Sequence, residues 1–218
     1  MPPVSLSKTL CIAAGGPSLA DTIKDRKGDL VAVNGSHDWL IERGIMPLAL
    51  GLMDYRPRLA TMFTPHPDVT YYVATSVHKS VLEKLARFDV VRWDYDKITG
   101  GCTMGLRWLN LGYLMGYREF ALHGFDSSFC EGRTHAYPHY RDEKHKGKFK
   151  VDGFETADRW VAQIIDFFKI TDELKEARFT VHGDGLLQRR FKENNRTFAP
   201  EIIAAANACR RKPSQKGT

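Results

Sequence analysis

The chain has 218 residues, of which 43% are hydrophobic and four are cysteines, and it carries a formal net charge of +6. A chain of this length buries a full hydrophobic core without disulfides or a structural metal, and its widely spaced cysteines argue against a zinc site or a disulfide framework. No apolar stretch approaches the roughly 18 residues that a membrane span requires, so we expect a cytoplasmic protein without a membrane span.

Short apolar runs rich in β-branched residues alternate with helix-length amphipathic segments. This alternation predicts an α/β fold with a mostly parallel, doubly wound sheet and helices on both faces. The predicted strands are residues 9–14, 30–34, 47–52, 70–74, 90–93, 119–123 and 179–182. The predicted helices are residues 18–25, 37–43, 56–63, 76–88, 103–116 and 155–168.

Two parts of the chain break this pattern. Residues 127–152 form a long polar and aromatic stretch, which predicts a lid-like insertion. Residues 189–218 hold eight basic and two acidic residues, which accounts for the whole net charge of +6. We therefore predict a single domain over residues 1–188 and a solvated basic C-terminal extension over residues 189–218, through which alone a nucleic acid would bind.

The first predicted strand runs directly into a glycine-rich turn and a helix start, at Gly15, Gly16, Pro17, Ser18 and Leu19. Glycine lets the backbone approach a ligand closely, and the N–H groups at a helix start favour phosphate. The alternative is a turn that only connects strand to helix. The phosphate-loop pattern G-x-x-x-x-G-K-[ST] is absent, which excludes a P-loop kinase.

A second glycine cluster, with Gly101, Thr103 and Gly105, opens the helix over residues 103–116 and predicts a second phosphate contact. Further candidate nucleotide-binding residues follow the second and sixth strands at the same edge of the sheet: they are Asn34, Gly35 and Ser127.

Asp54 and Asp126 follow the third and sixth predicted strands at that edge. Mg²⁺ usually binds one or two carboxylates together with phosphate oxygens, so both residues are candidate metal ligands. Capping or turn formation is the alternative for an aspartate that follows a strand.

Five motifs in order resemble the 6-hydroxymethylpterin diphosphokinase MptE-like family over roughly residues 10–137: Gly-Gly-Pro-Ser-Leu, Val-Asn-Gly-Ser, Gly-Leu-Met-Asp, Gly-Gly-Cys-Thr-Met-Gly and Gly-Phe-Asp-Ser-Ser. That family is similar in turn to sialyltransferases that have a Gly-x-Gly-Pro-Ser-Leu loop. In this chain Ala14 occupies the position of the first glycine of that loop. The resemblance implies a Rossmann-like fold and a nucleotide phosphate on residues 15–19.

His135 follows the sixth strand by about ten residues, inside the predicted lid. A histidine titrates near neutral pH and can remove a proton from an acceptor hydroxyl, so His135 and Asp126 are the candidate catalytic residues. The alternative for His135 is an inert surface histidine.

These observations predict a nucleotide-dependent transferase. The first interpretation is Mg²⁺-assisted, ATP-dependent diphosphoryl transfer to a small hydroxylated acceptor such as a pterin alcohol, as the resemblance implies. The first alternative is a sialyltransferase-like enzyme that uses a nucleotide sugar. The second alternative is a non-catalytic module that binds a nucleotide or a nucleic acid. We also expect Gly16→Val with Ser18→Ala to weaken nucleotide binding and leave the fold intact.

Overall fold

The structure is a computed structural model that describes residues 8–139 and 147–210. Its nine strands are β1 (Thr9–Ala13), β2 (Asp29–Val33), β3 (Ala49–Leu52), β4 (Thr70–Ala74), β5 (Val90–Trp93), β6 (Glu119–His123), β7 (Phe149–Val151), β8 (Phe154–Thr156) and β9 (Arg178–Val181). Seven of them form one parallel sheet in the order β5-β4-β3-β2-β1-β6-β9, and β7 pairs with β8 in an antiparallel hairpin.

The α-helices are α1 (Leu19–Thr22), α2 (Ser36–Ile41), α3 (Lys79–Lys84), α4 (Met104–Leu114), α5 (Asp158–Glu173), α6 (Leu186–Lys192) and α7 (Pro200–Arg210). Two short 3-10 helices cover Ile23–Asp25 and Pro57–Thr61. In the described ranges, no helix combines the length and the apolar character needed to cross a membrane.

The order of the strands confirms the predicted doubly wound α/β fold. From β1 the chain moves outward to β5 and then returns, so that β6 pairs with the other side of β1. Cys11 of β1 therefore lies between Leu30 of β2 and Ala121 of β6. Because parallel crossovers are right-handed, this reversal puts helices on both faces and leaves a crevice at the carboxyl ends of β1 and β6.

Close packing of α4 on the sheet positions the start of this helix beside the crevice. A Cβ atom at Gly112 would lie 2.5 Å from Leu10, and one at Gly105 would lie 2.7 Å from the Phe125 ring. On the same helix, the Trp108 indole N–H donates to the carbonyl of Ala32 at 3.2 Å. The two glycines therefore serve helix-to-sheet contact, which brings the first turn of α4 to the end of β6.

His123, at the end of β6, is fully buried and stacks on His182 with ring centroids 4.3 Å apart. Burial, reinforced by the neighbouring His182, lowers the pKa of His123 to about 4, and it outweighs the opposing effects of Asp25 and of a backbone contact with Thr22. The histidine is therefore neutral at physiological pH, because the lost hydration costs more than these contacts return.

The predicted domain boundary after residue 188 is not a structural boundary, because α6 runs across it. Arg190 is only 4% exposed, and its Nε donates to Asp152 at 2.7 Å. Further along, α7 packs against α5 and buries Ala206. The interpretation of residues 189–210 as a solvated tail is therefore wrong, since the charge count did not show that Arg190 points into the protein. Residues 211–218 lie outside the described ranges.

The predicted insertion at residues 127–152 contains the β7–β8 hairpin at its C-terminal end, and β8 takes the place of the expected helix start at residue 155. The hairpin is tied to the end of β6. The Phe129 N–H donates to the Glu155 carbonyl at 2.9 Å, and the Thr156 hydroxyl donates to the Ser127 carbonyl at 2.7 Å. Residues 140–146 of the insertion lie outside the described ranges.

Replacing Arg190 with alanine is expected to lower the free energy of unfolding by about 2–4 kcal/mol, because it leaves Asp152 and the Thr197 carbonyl without their cation. Arg189→Ala is the matched control: its side chain is 58% exposed and pairs with Glu193, so its loss is expected to cost about 1 kcal/mol or less. Urea unfolding of both variants measures the difference. Equal small losses would show that the C-terminal segment does not hold the hairpin.

Candidate functional site

A cavity of about 140 Å³ lies where the carboxyl ends of β1 and β6 meet. Eight of the predicted site residues line it: Gly15, Gly16, Pro17, Thr103, Gly105, Asp126, Ser127 and His135. Its other walls come from Ala14, Val33, Gly124, Phe125, Ser128, Thr134, Trp160 and Gln163. The glycine turn, the start of α4 and the strand end after β6 therefore meet at one place, as their positions at the sheet edge predict.

The remaining predicted residues lie outside the lining: they are Ser18, Leu19, Asn34, Gly35, Asp54 and Gly101. Leu19 is a core residue with no exposed surface. Asn34 and Gly35 follow β2, one strand further from the crevice, and Asn34 has a left-handed φ of 51°. Asp54 follows β3 and accepts from the Arg56 guanidinium, with Nε to Oδ1 at 2.8 Å.

Three N–H groups of the first glycine turn already have acceptors within the protein. Gly16 N–H donates to the Gly124 carbonyl at 2.8 Å, and Leu19 N–H donates to the Gly16 carbonyl at 3.0 Å. Ser18 N–H donates to Asp126 Oδ2 at 3.1 Å. The buried Asp126 carboxylate thus accepts from an N–H group that the sequence predicts to bind a phosphate. The phosphate contact at residues 15–19 remains a prediction.

Asp126 is 4% exposed, and burial raises the pKa of its carboxyl to about 6. The hydrogen bonds from Ser18 oppose this shift, and the nearby Asp184 adds to it. The main-chain carbonyl of Asp126 accepts from Leu187 N–H at 3.1 Å. Asp126 therefore combines a fixed position with a pKa close to neutral, which suits proton transfer.

The second glycine cluster starts a longer helix, since α4 has eleven residues whereas α1 has four. Thr103 caps α4, with its hydroxyl accepting from Leu106 N–H at 3.4 Å. Asp166 of α5 accepts from Cys102 N–H at 3.0 Å. Thr103 and Gly105 line the cavity, so the positive end of the α4 dipole lies at its wall.

The start of the predicted lid lies directly on the first glycine turn. Ala136 N–H donates to the Gly15 carbonyl at 3.0 Å, and His135 Nδ1 lies 2.6 Å from the Thr134 hydroxyl. A Cβ atom at Gly15 would lie 2.5 Å from both His135 and the Tyr137 hydroxyl. The missing side chain of Gly15 therefore allows residues 135–137 to pack directly on the turn.

Trp160 and Gln163 line the cavity from the first turns of α5. Both lie in the helix predicted over residues 155–168, and neither is among the candidate site residues of the sequence. Their spacing of three places them on one face of α5, shortly after the predicted lid-like insertion. That position in the sequence was the signal that could have identified them.

The two predicted magnesium ligands do not form a shared site. Asp126 lines the cavity and is bonded to Ser18, whereas Asp54 lies outside the lining and is paired with Arg56. Within residues 8–139 and 147–210, no group of three or more His, Cys, Asp or Glu side chains could hold a metal ion. Asp54 and Asp126 therefore do not act as a pair in the described structure, and a Mg²⁺ ion bound by either carboxylate together with phosphate oxygens remains a prediction.

The expectation that Gly16→Val leaves the fold intact is also wrong. A Cβ atom at Gly16 would collide with the Asp126 carboxylate and lie 2.5 Å from the main-chain oxygen of Gly124. Because the Gly124 backbone cannot move aside like a flexible side chain, valine at this position would disrupt the turn that it is meant to probe.

No protein-family model matches the chain, and no curated protein matches it. Among solved structures it is similar to the MAf glycosyltransferase from Magnetospirillum magneticum AMB-1, with a TM-score of 0.60 and 16% identity over 95% of this chain and 37% of that chain. This likeness shows a shared fold, and the chain spans little more than a third of that neighbour's length. The chain is also partly similar to thiamine pyrophosphokinase from Bacillus subtilis, with a TM-score of 0.31 and 14% identity over 54% of this chain and 47% of that chain. This similarity is too low to indicate a shared fold.

Replacing Asp126 with asparagine is expected to stabilise the protein more at high pH than at low pH. Because the pKa of Asp126 is raised to about 6, its carboxyl stays largely protonated between about pH 4 and pH 6 in the folded protein, whereas it ionises in the unfolded chain. Above pH 6 the wild type carries the cost of a buried charge, about 3 kcal/mol, which asparagine lacks. Well below the ordinary aspartate pKa of 3.8, the carboxyl is neutral in both folded and unfolded states, and the pH-dependent part of the difference disappears.

Urea unfolding of the wild type and Asp126→Asn across this pH range measures the effect. His123 is present in both proteins, so its own titration cancels in the difference. Asp68→Asn is the control, because the Asp68 side chain is 76% exposed and its replacement is expected to give no such pH dependence. A difference for Asp126→Asn that is constant with pH would contradict the raised pKa.

Proposed function

We propose that the chain is a nucleotide-dependent transferase that moves a sugar from a nucleotide-sugar donor to a hydroxyl of an acceptor. The observation that carries this proposal is the convergence of Asp126, His135 and the first turn of α4 on one cavity at the crevice between β1 and β6. Ligands of doubly wound sheets bind at such a crevice. The fold shared with the MAf glycosyltransferase supports the proposal.

In the proposed reaction, the acceptor oxygen forms a bond to the anomeric carbon of the donor. The bond from that carbon to the donor's phosphate oxygen breaks, and its electron pair stays on the phosphate. Asp126 takes the hydroxyl proton, since its pKa of about 6 lets it act as a base near neutral pH. The positive end of α4, at Thr103 and Gly105, stabilises the charge that develops on the departing phosphate. His135 is the second candidate for contact with the acceptor.

Diphosphoryl transfer from ATP is the second candidate function, and the resemblance to the MptE-like family is what supports it. That reaction relies on metal ions and cations that neutralise a polyphosphate. Among the described residues, the cavity lining contains no lysine or arginine to hold a polyphosphate, which is why we place sugar transfer first.

Asp126→Asn and His135→Gln are each expected to lower kcat by about 100-fold or more at pH 7, because general acid-base groups contribute at least that much. The measurement is release of nucleotide from a panel of nucleotide sugars in the presence of hydroxyl acceptors. Donor affinity, measured by calorimetric titration, is expected to change little. His66→Gln is the control, since His66 lies away from the cavity lining and is expected to leave kcat unchanged.

Formation of AMP from ATP and a pterin alcohol, without sugar transfer, would contradict the proposed reaction and support the diphosphoryl alternative. Nucleotide binding without turnover of any donor would instead favour a binding module.

A further inference from the structure

We propose that the cavity binds one uncharged pyranose ring, with Trp160 as the platform for the ring and Ser127 as a hydrogen-bonding partner. This inference rests on the function proposed above, and it specifies which part of the donor the cavity holds and what chemical class that part belongs to.

Among the described residues, the lining is polar and contains no lysine or arginine. Its polar side chains are four hydroxyls, one amide, one imidazole, the Trp160 indole N–H and the Asp126 carboxylate. The Arg159 guanidinium is not part of the lining and lies 5.7 Å from the centroid of the Trp160 ring. Polyphosphates are normally held by cationic side chains or metal ions. A set of neutral donors and acceptors beside a carboxylate is suited instead to the hydroxyl groups of a sugar.

Ser127 supplies a buried polar group without a partner. It is 6% exposed, it lines the cavity, and within the described part of the chain its hydroxyl has no hydrogen-bond partner. Its backbone has a left-handed φ of 53°, a conformation held in place by the Thr156 hydroxyl on the Ser127 carbonyl. Buried hydroxyls are normally paired, and backbone strain of this kind concentrates at ligand sites. A ligand hydroxyl would complete this pairing.

Trp160 supplies an aromatic surface at the cavity wall. Trp39, Trp93 and Trp108 are buried in the core, whereas Trp160 is only partly buried. Its ring packs edge-to-face on Phe129, with centroids 4.6 Å apart, which restricts its orientation. The electron-rich face of an indole attracts the C–H groups on one side of a pyranose ring.

The size and the charge of the cavity restrict the ligand further. A volume of about 140 Å³ is well below the roughly 300–1,000 Å³ of pockets that bury a whole drug-sized ligand, so we expect the cavity to hold a single ring and not a complete nucleotide. Because the described lining has no cationic side chain, the carboxylate of Asp126 would repel an acidic sugar, which favours an uncharged ring.

Acrylamide quenching of tryptophan fluorescence tests this proposal on the intact chain. The probes are glucose, galactose and N-acetylglucosamine at millimolar concentrations, with glucuronate and inorganic pyrophosphate as the charged comparators. We expect at least one uncharged sugar to reduce quenching and both charged compounds to have no effect. The reduction is expected to disappear in Trp160→Phe and to persist in Trp93→Phe, whose tryptophan is buried in β5.

Ser127→Ala is expected to weaken binding of that sugar about tenfold, which corresponds to the loss of one hydrogen bond. Thermal unfolding of each variant checks that the fold is retained. Protection by pyrophosphate and not by sugars would overturn the proposal, as would a sugar effect that survives in Trp160→Phe. Calorimetric titration with nucleotides is run on the same samples. Nucleotide binding without any sugar effect overturns the pyranose subsite alone, whereas absence of both also overturns the proposed function.

Discussion

The buried carboxyl group of Asp126 joins the segments that form the cavity. Its side chain accepts from Ser18 N–H and its main-chain carbonyl accepts from Leu187 N–H, so the turn after β1 and the start of α6 are both fixed to the end of β6. Side chains at Gly16 and Gly185 would collide with Asp126, which explains why both neighbours are glycines. The same burial raises the pKa of the carboxyl to about 6, so that the structural contact also creates a candidate base.

Part of the cavity wall near Asp126 comes from the insertion after β6, and this insertion is held at both ends. At one end, the backbone of Ala136 bonds to Gly15 across a contact that only glycine permits. At the other end, the buried Arg190 pairs with Asp152 in the hairpin that precedes α5. The C-terminal segment, whose charge count predicts a solvated tail, therefore holds the hairpin end of the insertion through Arg190.

The sequence predicted all seven strands of the parallel sheet, because each is a short and nearly continuous apolar run such as the one over residues 70–74. It also predicted that the turns at Gly15 and Gly105 would lie at one edge of the sheet, since parallel strands share the direction of their carboxyl ends. It did not predict that Asp126 bonds to Ser18, because 108 residues separate the two and a local pattern carries no information on that contact. For the same reason, the helical pattern of the sequence could not show that Trp160 lies in a cavity wall whereas Trp108 lies in the core.

A crystal structure of the protein with a bound nucleotide sugar tests the central claim most directly. We expect the sugar ring to lie in the cavity against Trp160 and its anomeric carbon to face Asp126, with the donor phosphate at the start of α4. A nucleotide bound away from the crevice between β1 and β6, for example beside Asp54 at the end of β3, would contradict the proposed function.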